Sequence, residues 1–278
     1  MSEGTAIEWT HRPGTKPATW NPIRGVTGRH WCTKISPGCV NCYAETLNVR
    51  FGGKPYTHGK DSLRVDYDVL KQPRKWRDPH TVFVCSMTDL FHESLTMKQI
   101  LDVFTVMQDT PKHTYMVLTK RIERALEFCK TYGLWGDGED WPVNVWLGVS
   151  VENQEYADKR IPPLLDSPAL VKFVSYEPAL GLVDFNTFMG VGARAFCQQD
   201  GVNWLIIGGE SGTGRREMNL SWAASAIMDC KANGVACFVK QDNAFKPGQR
   251  GRFTDEEWAL KQFPNVTVGS NRRSPRDE

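Results

Sequence analysis

No stretch of this 278-residue chain approaches the roughly 18 consecutive apolar residues of a membrane-spanning helix, and no membrane partner is expected. The opening Met-Ser-Glu-Gly-Thr lacks a basic start followed by an apolar run, so no secretory signal is read and a cytoplasmic location is expected. Without a signal, disulfides are disfavoured, and the eight cysteines are read as reduced thiols. Acids are scarce near the N-terminus. Residues 1–60 hold Glu3, Glu8 and Glu45 against eight Lys and Arg, a surplus of +5, while the rest of the chain carries 26 basic and 29 acidic residues. Such a segment favours an anionic substrate or partner, such as a nucleotide or DNA; a merely solvated loop is the plainer alternative.

A regular beat fills the middle and end of the chain. Short runs rich in β-branched and aromatic residues at 81–85, 115–118, 144–149, 171–174, 204–207 and 236–239 read as buried strands. Helical periodicity falls between them at 97–108, 122–132 and 221–232, with Ser221 as N-cap and Gly234 near the C-cap. A seventh strand is expected within 19–26. The fold class is therefore α/β, a partial or distorted (β/α) barrel of mostly parallel strands; a doubly wound sheet is the alternative. One domain over 1–278 is expected, with 1–60 as a basic loop segment and 243–278 as an irregular cover.

Polar residues follow each apolar run, where parallel α/β folds bind ligands. They include Ser86, Thr88 and Asp89, then Thr119, Lys120 and Arg121, then Ser150, Glu152 and Asn153. Ser175, Tyr176 and Glu177 come next, followed by Gly208, Gly209, Glu210 and Ser211, and by Lys240, Gln241 and Asp242. Any single one of these also fits a turn or a helix cap.

Three of the eight cysteines fall within eleven residues, as Cys32, Cys39 and Cys42 in a C-x6-C-x2-C spacing. Thiolates gathered this way bind a metal or a cluster. Pro37 and Gly38 let the loop fold back, and a helix is expected from Cys42 onward with Leu47, Val49 and Phe51 as its apolar members. Two readings remain open at this point. One is structural zinc with His30 as fourth ligand, stabilising a nucleic-acid-binding protein without catalysis. The other is a [4Fe–4S] cluster held by three thiolates, with one iron left open. The scattered Cys85, Cys129, Cys197, Cys230 and Cys237 read as small core hydrophobes.

The segments Ile7-Glu-Trp-Thr10, Thr19-Trp-Asn-Pro22, Cys32 through Glu45, Leu118-Thr-Lys-Arg121 and Gly208-Gly-Glu-Ser211 resemble the phage three-Cys-motif family, which is radical-SAM-like. The resemblance runs from about Ile7 to Gln241. It implies a radical-SAM-like domain in which Cys32, Cys39 and Cys42 hold a [4Fe–4S] cluster. It also implies that S-adenosylmethionine is cleaved to a 5′-deoxyadenosyl radical, which abstracts a hydrogen from the substrate; the basic charge, the aromatics and the phage association point to a nucleotide or nucleic-acid base. A flavodoxin or ferredoxin would supply the electron, in the host cytoplasm for a phage-encoded chain. Ser150, Glu152, Ser175, Glu177, Gly208, Gly209 and Glu210 would lie near S-adenosylmethionine. Lys120, Arg121, Lys240 and Gln241 would face the anionic substrate or the methionine carboxylate. A cluster-bearing sensor without radical activity is a further alternative. The first cysteine gap of six, where radical SAM enzymes usually have three, marks a divergent branch.

Three more features invite a role. Asp89, His92 and Glu93 suggest either a second metal or acid/base site or an acidic helix start. The 245–253 stretch carries Lys246, Arg250 and Arg252 with Gly248 and Gly251, as a phosphate-contacting or a solvated loop. Trp9, Trp20 and Trp31 fit base stacking or core packing.

Overall fold

The computed structural model of the protein describes residues 2–26, 28–56, 63–134, 141–189 and 201–265. The N-terminal part contributes β1 (Ser2–Glu3), β2 (Lys16–Trp20), β3 (Ile23–Gly25), α1 (Tyr43–Arg50), β4 (Leu63–Val65) and α2 (Tyr67–Leu70). A strand–helix alternation follows. It runs β5 (His80–Val84), α3 (Met97–Gln108), β6 (Thr114–Thr119), α4 (Ile122–Thr131), β7 (Val145–Ser150) and α5 (Gln154–Leu165). It continues through β8 (Lys172–Tyr176), α6 (Asn186–Met189), β9 (Trp204–Gly208), α7 (Leu220–Asn233), β10 (Ala236–Gln241) and α8 (Asp255–Trp258).

Seven strands pair in parallel in the order β2-β5-β6-β7-β8-β9-β10, curled into a half-barrel, and β1 adds antiparallel to β2 at one edge. All six expected runs are strands of this sheet. The expected seventh strand needs correcting. β2 stops at Trp20, and Ile23–Gly25 leaves the sheet to pair antiparallel with β4. Pro22 lacks the N–H that a continuing ladder requires, so the chain breaks there. The N-cap of α7 is Asn219, whose side chain accepts from Ser221 N, and Gly234 closes the helix at φ 66°. In α1, Val49 and Phe51 point to solvent while Ala44 and Asn48 are buried, so the expected apolar face of that helix is not the buried one.

Period-two alternation splits the sheet's side chains between two cores. One face packs Val82, Tyr115, Val117, Leu147, Val174 and Leu205 under the helices. The concave face carries Phe83, Met116, Trp146, Phe173, Trp204, Ile206 and Phe238. Into that concavity goes Trp9, from a single 3-10 turn at Glu8–Thr10, with ring centroids 4.5 Å from Phe83 and 6.2 Å from Trp204. Gly148 keeps the concave face open for Phe173, because a Cβ there would fall 2.5 Å from its ring. Trp20 is buried on the helix side and donates its indole N–H to Val69 O at 2.9 Å. Trp31 is buried 5.1 Å from the His92 ring. All three tryptophans are core wedges.

Apolar packing thus fills the lower part of the concavity. The carboxyl ends of the strands are left to the polar residues and to the cysteine segment.

Up to residue 265 the C-terminal segment packs on the sheet. Phe263 stacks on Trp204 and Phe238, and Lys261 bridges to Phe238 across a β-bridge. Cys197 and residues 266–278 lie outside the described residues. Among the described residues, no helix is long and apolar enough to cross a membrane.

Candidate active site

The cysteine segment has little regular structure of its own. Pro37–Cys39 forms one 3-10 turn, and Cys42 is the N-cap residue of α1. Cys32, Cys39 and Cys42 all line one cavity of about 740 Å³ at the carboxyl end of the sheet. Lys120, Arg121, Ser150, Ser175, Glu177, Gly209, Glu210 and Lys240 line it too. Eight of the eleven residues expected around cofactor and substrate therefore meet the three thiols in one place. Glu152, Gly208 and Gln241 stand behind that lining.

Three polar clamps hold the segment against the strand ends. In the first, Arg121 donates to Asp89 Oδ2 at 3.0 Å, Glu93 Oε2 at 2.6 Å and Thr33 Oγ1 at 2.5 Å. Thr33 Oγ1 donates in turn to Glu93 Oε1 at 2.9 Å and lies 3.0 Å from His92 Nε2. His92 Nδ1 accepts from Ser94 N, so Nε2 carries the proton and donates to Thr33. Burial, then Arg121, pushes His92 down to about 4, which keeps that imidazole neutral. Burial works to raise the Glu93 carboxyl, but Arg121 outweighs it and holds it at about 2. Asp89 is buried and also accepts from Thr119 Oγ1, Lys120 N and Phe91 N. Asp89, His92 and Glu93 thus serve as anchors for Arg121 and Thr33.

The second clamp is the buried Glu152. It accepts from Ser36 Oγ at 2.6 Å and Arg160 at 2.9 Å, with Lys120 Nζ 3.3 Å away. Gly38 lies flat on it. A Cβ there would sit 2.5 Å from Glu152 Oε1 and 3.0 Å from Pro178, so only glycine fits the turn between Cys32 and Cys39 without displacement. The third clamp is Glu210, which accepts from Asn41 Nδ2 at 3.0 Å and from Arg216 through backbone and guanidinium. Arg216 also donates to Pro37 O at 2.8 Å. Glu152, Glu210 and Arg121, read from sequence as contacts to cofactor or substrate, each give one hydrogen bond to the loop, to Ser36, Asn41 and Thr33, and pair with charged neighbours for the rest.

Inside the cavity, Lys240 Nζ pairs with Glu177 Oε1 at 2.5 Å. Gln241 donates to Gly209 O at 2.7 Å and accepts from Gly248 N at 2.9 Å, which pins the 245–253 loop to the cavity rim. Arg252 is bound to Asp242 at 2.8 Å and Glu217 at 2.7 Å, and Arg250 to Asp255. Those two arginines brace the loop rather than wait for a phosphate. Gly208 packs on Glu177, where a Cβ would meet its carboxyl carbon at 3.3 Å.

The thiols' surroundings suit a thiolate-bound group. Burial pushes the Cys32 thiol up to about 12, against the pull of Arg121. Burial also raises Cys42, opposed by the N–H groups of Glu45 and Ala44 at the start of α1. A cation that replaces the proton relieves that burial penalty, and the helix N–H groups then donate to sulfur. Among the described residues, no set of three His, Cys, Asp or Glu is gathered tightly enough for one metal ion. A polynuclear cluster places its thiolates on different irons, so it asks for a looser set. His30 is not in the cavity lining. Its Nε2 accepts from the Arg24 guanidinium.

Sequence reasoning passed over Thr33, Ser36 and Asn41, whose partners are far away in the chain, and Arg160 and Arg216, which pair locally with Glu152 and Glu210. It also placed Cys85 among the core cysteines. Cys85 is buried, but it lines the same cavity with φ at 54°, an unusual conformation for a non-glycine residue.

No curated protein and no solved structure matches this chain. A family model does match, over residues 4–270: the chain belongs to DUF5131, a family of proteins of unknown function.

Proposed function

We propose that this protein is a radical S-adenosylmethionine enzyme, akin to the phage three-Cys-motif family, that acts on a nucleotide or nucleic-acid base. The observation that carries the reading is the shared cavity, in which three clamped thiols face polar side chains from the ends of parallel strands. Cys32, Cys39 and Cys42 would hold a [4Fe–4S] cluster. When bound, that group and S-adenosylmethionine together supply a 5′-deoxyadenosyl radical, given an electron from a flavodoxin- or ferredoxin-type donor.

The chain's own residues do the holding. Arg121, Glu152 and Glu210 fix the loop so that its thiols share one orientation. Ser150, Ser175 and the Glu177–Lys240 pair offer donors and acceptors to a zwitterionic, hydroxyl-bearing cofactor. Glycine at 209 brings backbone to the lining, and a Cβ there would strike Asn243 N at 2.6 Å. The apolar floor around Trp9, Phe83 and Leu118 excludes water from the reacting centre. At about 740 Å³ the cavity lies in the upper part of the ~300–1,000 Å³ range of small-molecule sites, with room for a cofactor and a substrate group beside it.

The test is 5′-deoxyadenosine formation. Anaerobically purified, cluster-loaded protein with dithionite and S-adenosylmethionine should release it. A fully loaded protein that releases none would instead be a cluster-bearing sensor.

A further inference from the structure

The β3–β4 ribbon is small, and its sequence is odd for its size. Its inward residues Ile23, Gly25, Leu63 and Val65 are buried. Alternation sends Arg24 and Arg64 to the other face, and the register sets them directly opposite each other. Like charges across an antiparallel pair destabilise it. Arg29 adds a third guanidinium within electrostatic reach of Arg24. Arg64 and Arg29 are exposed, and Arg24 is half-buried.

Among the described residues, no carboxylate closes an ion pair with any of the three. The nearest acid felt by Arg24 is Asp66, and Asp66 is occupied as the N-cap of α2, accepting from Asp68 N and Val69 N at 3.2 Å. Arg24 is held in place by donating to the ring of His30. Burial, with Arg64 and Arg29, lowers the Arg24 guanidinium against the pull of Asp66. The fold thus keeps a like-charged trio together and, among the described residues, gives it no ion-pair partner.

The ribbon also adjoins the cavity. Asn21, two residues before β3, lines it, and so does Cys32, two residues after His30. From this geometry we infer that Arg24, Arg29 and Arg64 form a docking platform for the phosphate backbone of a nucleic-acid strand. The strand's phosphates would sit on the ribbon while a base reaches the cavity. Two opposed guanidiniums with a third beside them offer bidentate donors to backbone phosphates, contacts that carry no sequence code. The platform rests on the nucleic-acid half of the proposed function. It is independent of the cluster, which iron analysis tests separately.

The experiment is fluorescence anisotropy of labelled single-stranded and duplex oligonucleotides with the full chain, titrated across salt. The Arg24→Gln/Arg64→Gln double variant is compared with a charge-matched Lys130→Gln/Lys231→Gln control on α4 and α7. Wild type should bind with a log–log salt slope. The arginine variant should weaken binding about tenfold or more and flatten the slope by about 1.4 on single strands. The lysine control should change neither. Thermal unfolding keeps the result readable: relief of the opposed charges should leave the midpoint of the arginine variant equal or higher. Full competition by millimolar inorganic phosphate, with no preference for the polymer, would reduce the site to a simple anion pocket and overturn the platform. So would wild-type affinity in the arginine variant, an equal loss in the lysine control, or no oligonucleotide binding by the wild type.

Discussion

Between His80 and Gln241, six parallel strands alternate with helices, and the strand side chains are mostly apolar and buried. Between Gly28 and Cys42 the chain makes one 3-10 turn and borrows its order from Arg121, Glu152 and Glu210. The first region is held by area removed from water, a term that tolerates changes of shape-matched residues. The second is held by a few charge-assisted hydrogen bonds, each with a specific partner. On the proposed function the sheet is the support and the loop, whose hydrogen bonds run to the strand ends, carries the cluster. Separate damage to each should therefore give separate symptoms.

The sharpest separation comes from the thiols. Serine at Cys32, Cys39 or Cys42 should drop iron from about four per chain to near zero, with far-UV circular dichroism unchanged. A loss of helix signal would mean that the loop supports the sheet as well. Next, Glu152→Ala strands the buried Arg160 charge and frees Ser36, so urea unfolding should show about 3–5 kcal/mol lost together with iron retention. The opposite cut is Phe128→Ala in the helix-side core. It should also cost about 3–5 kcal/mol, yet leave iron per folded chain unchanged. Gly38→Ala should cost about 1–3 kcal/mol by forcing Glu152 or Pro178 aside, with a partial fall in iron.

The smallest effect is one of pH on the sheet side. His113 is buried behind β5, accepting from His80 N at 3.1 Å, and burial pushes it down to about 4. The unfolded chain therefore binds this proton in the window between the ordinary value of about 6.5 and about 4, so stability should fall as pH drops through it. The thermal midpoint followed from pH 7 to 4.5 checks this. A midpoint that rises on acidification contradicts it.

Much of the support was legible in the sequence, and little of the carrier's anchoring was. Strands such as Trp204–Gly208 announce themselves because both faces are buried and the run is continuously apolar. Helix α5 was hidden. It buries Ala157, Arg160, Ile161 and Leu164, so a charged residue occupies a core position, and Pro162 and Pro163 sit within it. The break after Trp20 was signalled by Pro22, but the apolar Ile23 obscured it. The three thiols, and the gathering of strand-end residues around them, follow from local spacing and from the β/α repeat. The clamps do not, because Ser36 meets Glu152 across 116 residues and Asn41 meets Glu210 across 169. Pairings at that range come from topology, which fixes only that the strand ends converge. Glu152 and Glu210 were found as strand-end acids, and each is divided between the loop and an arginine, Arg160 or Arg216.

The central claim is that three clamped thiolates carry a cluster with one open iron. The most direct measurement is electron paramagnetic resonance of the anaerobically purified, dithionite-reduced protein with and without S-adenosylmethionine. The expected result is about four irons per chain and a reduced-cluster signal that changes when S-adenosylmethionine is added. Stoichiometric zinc in a colourless sample, or a cluster signal indifferent to S-adenosylmethionine, would contradict it.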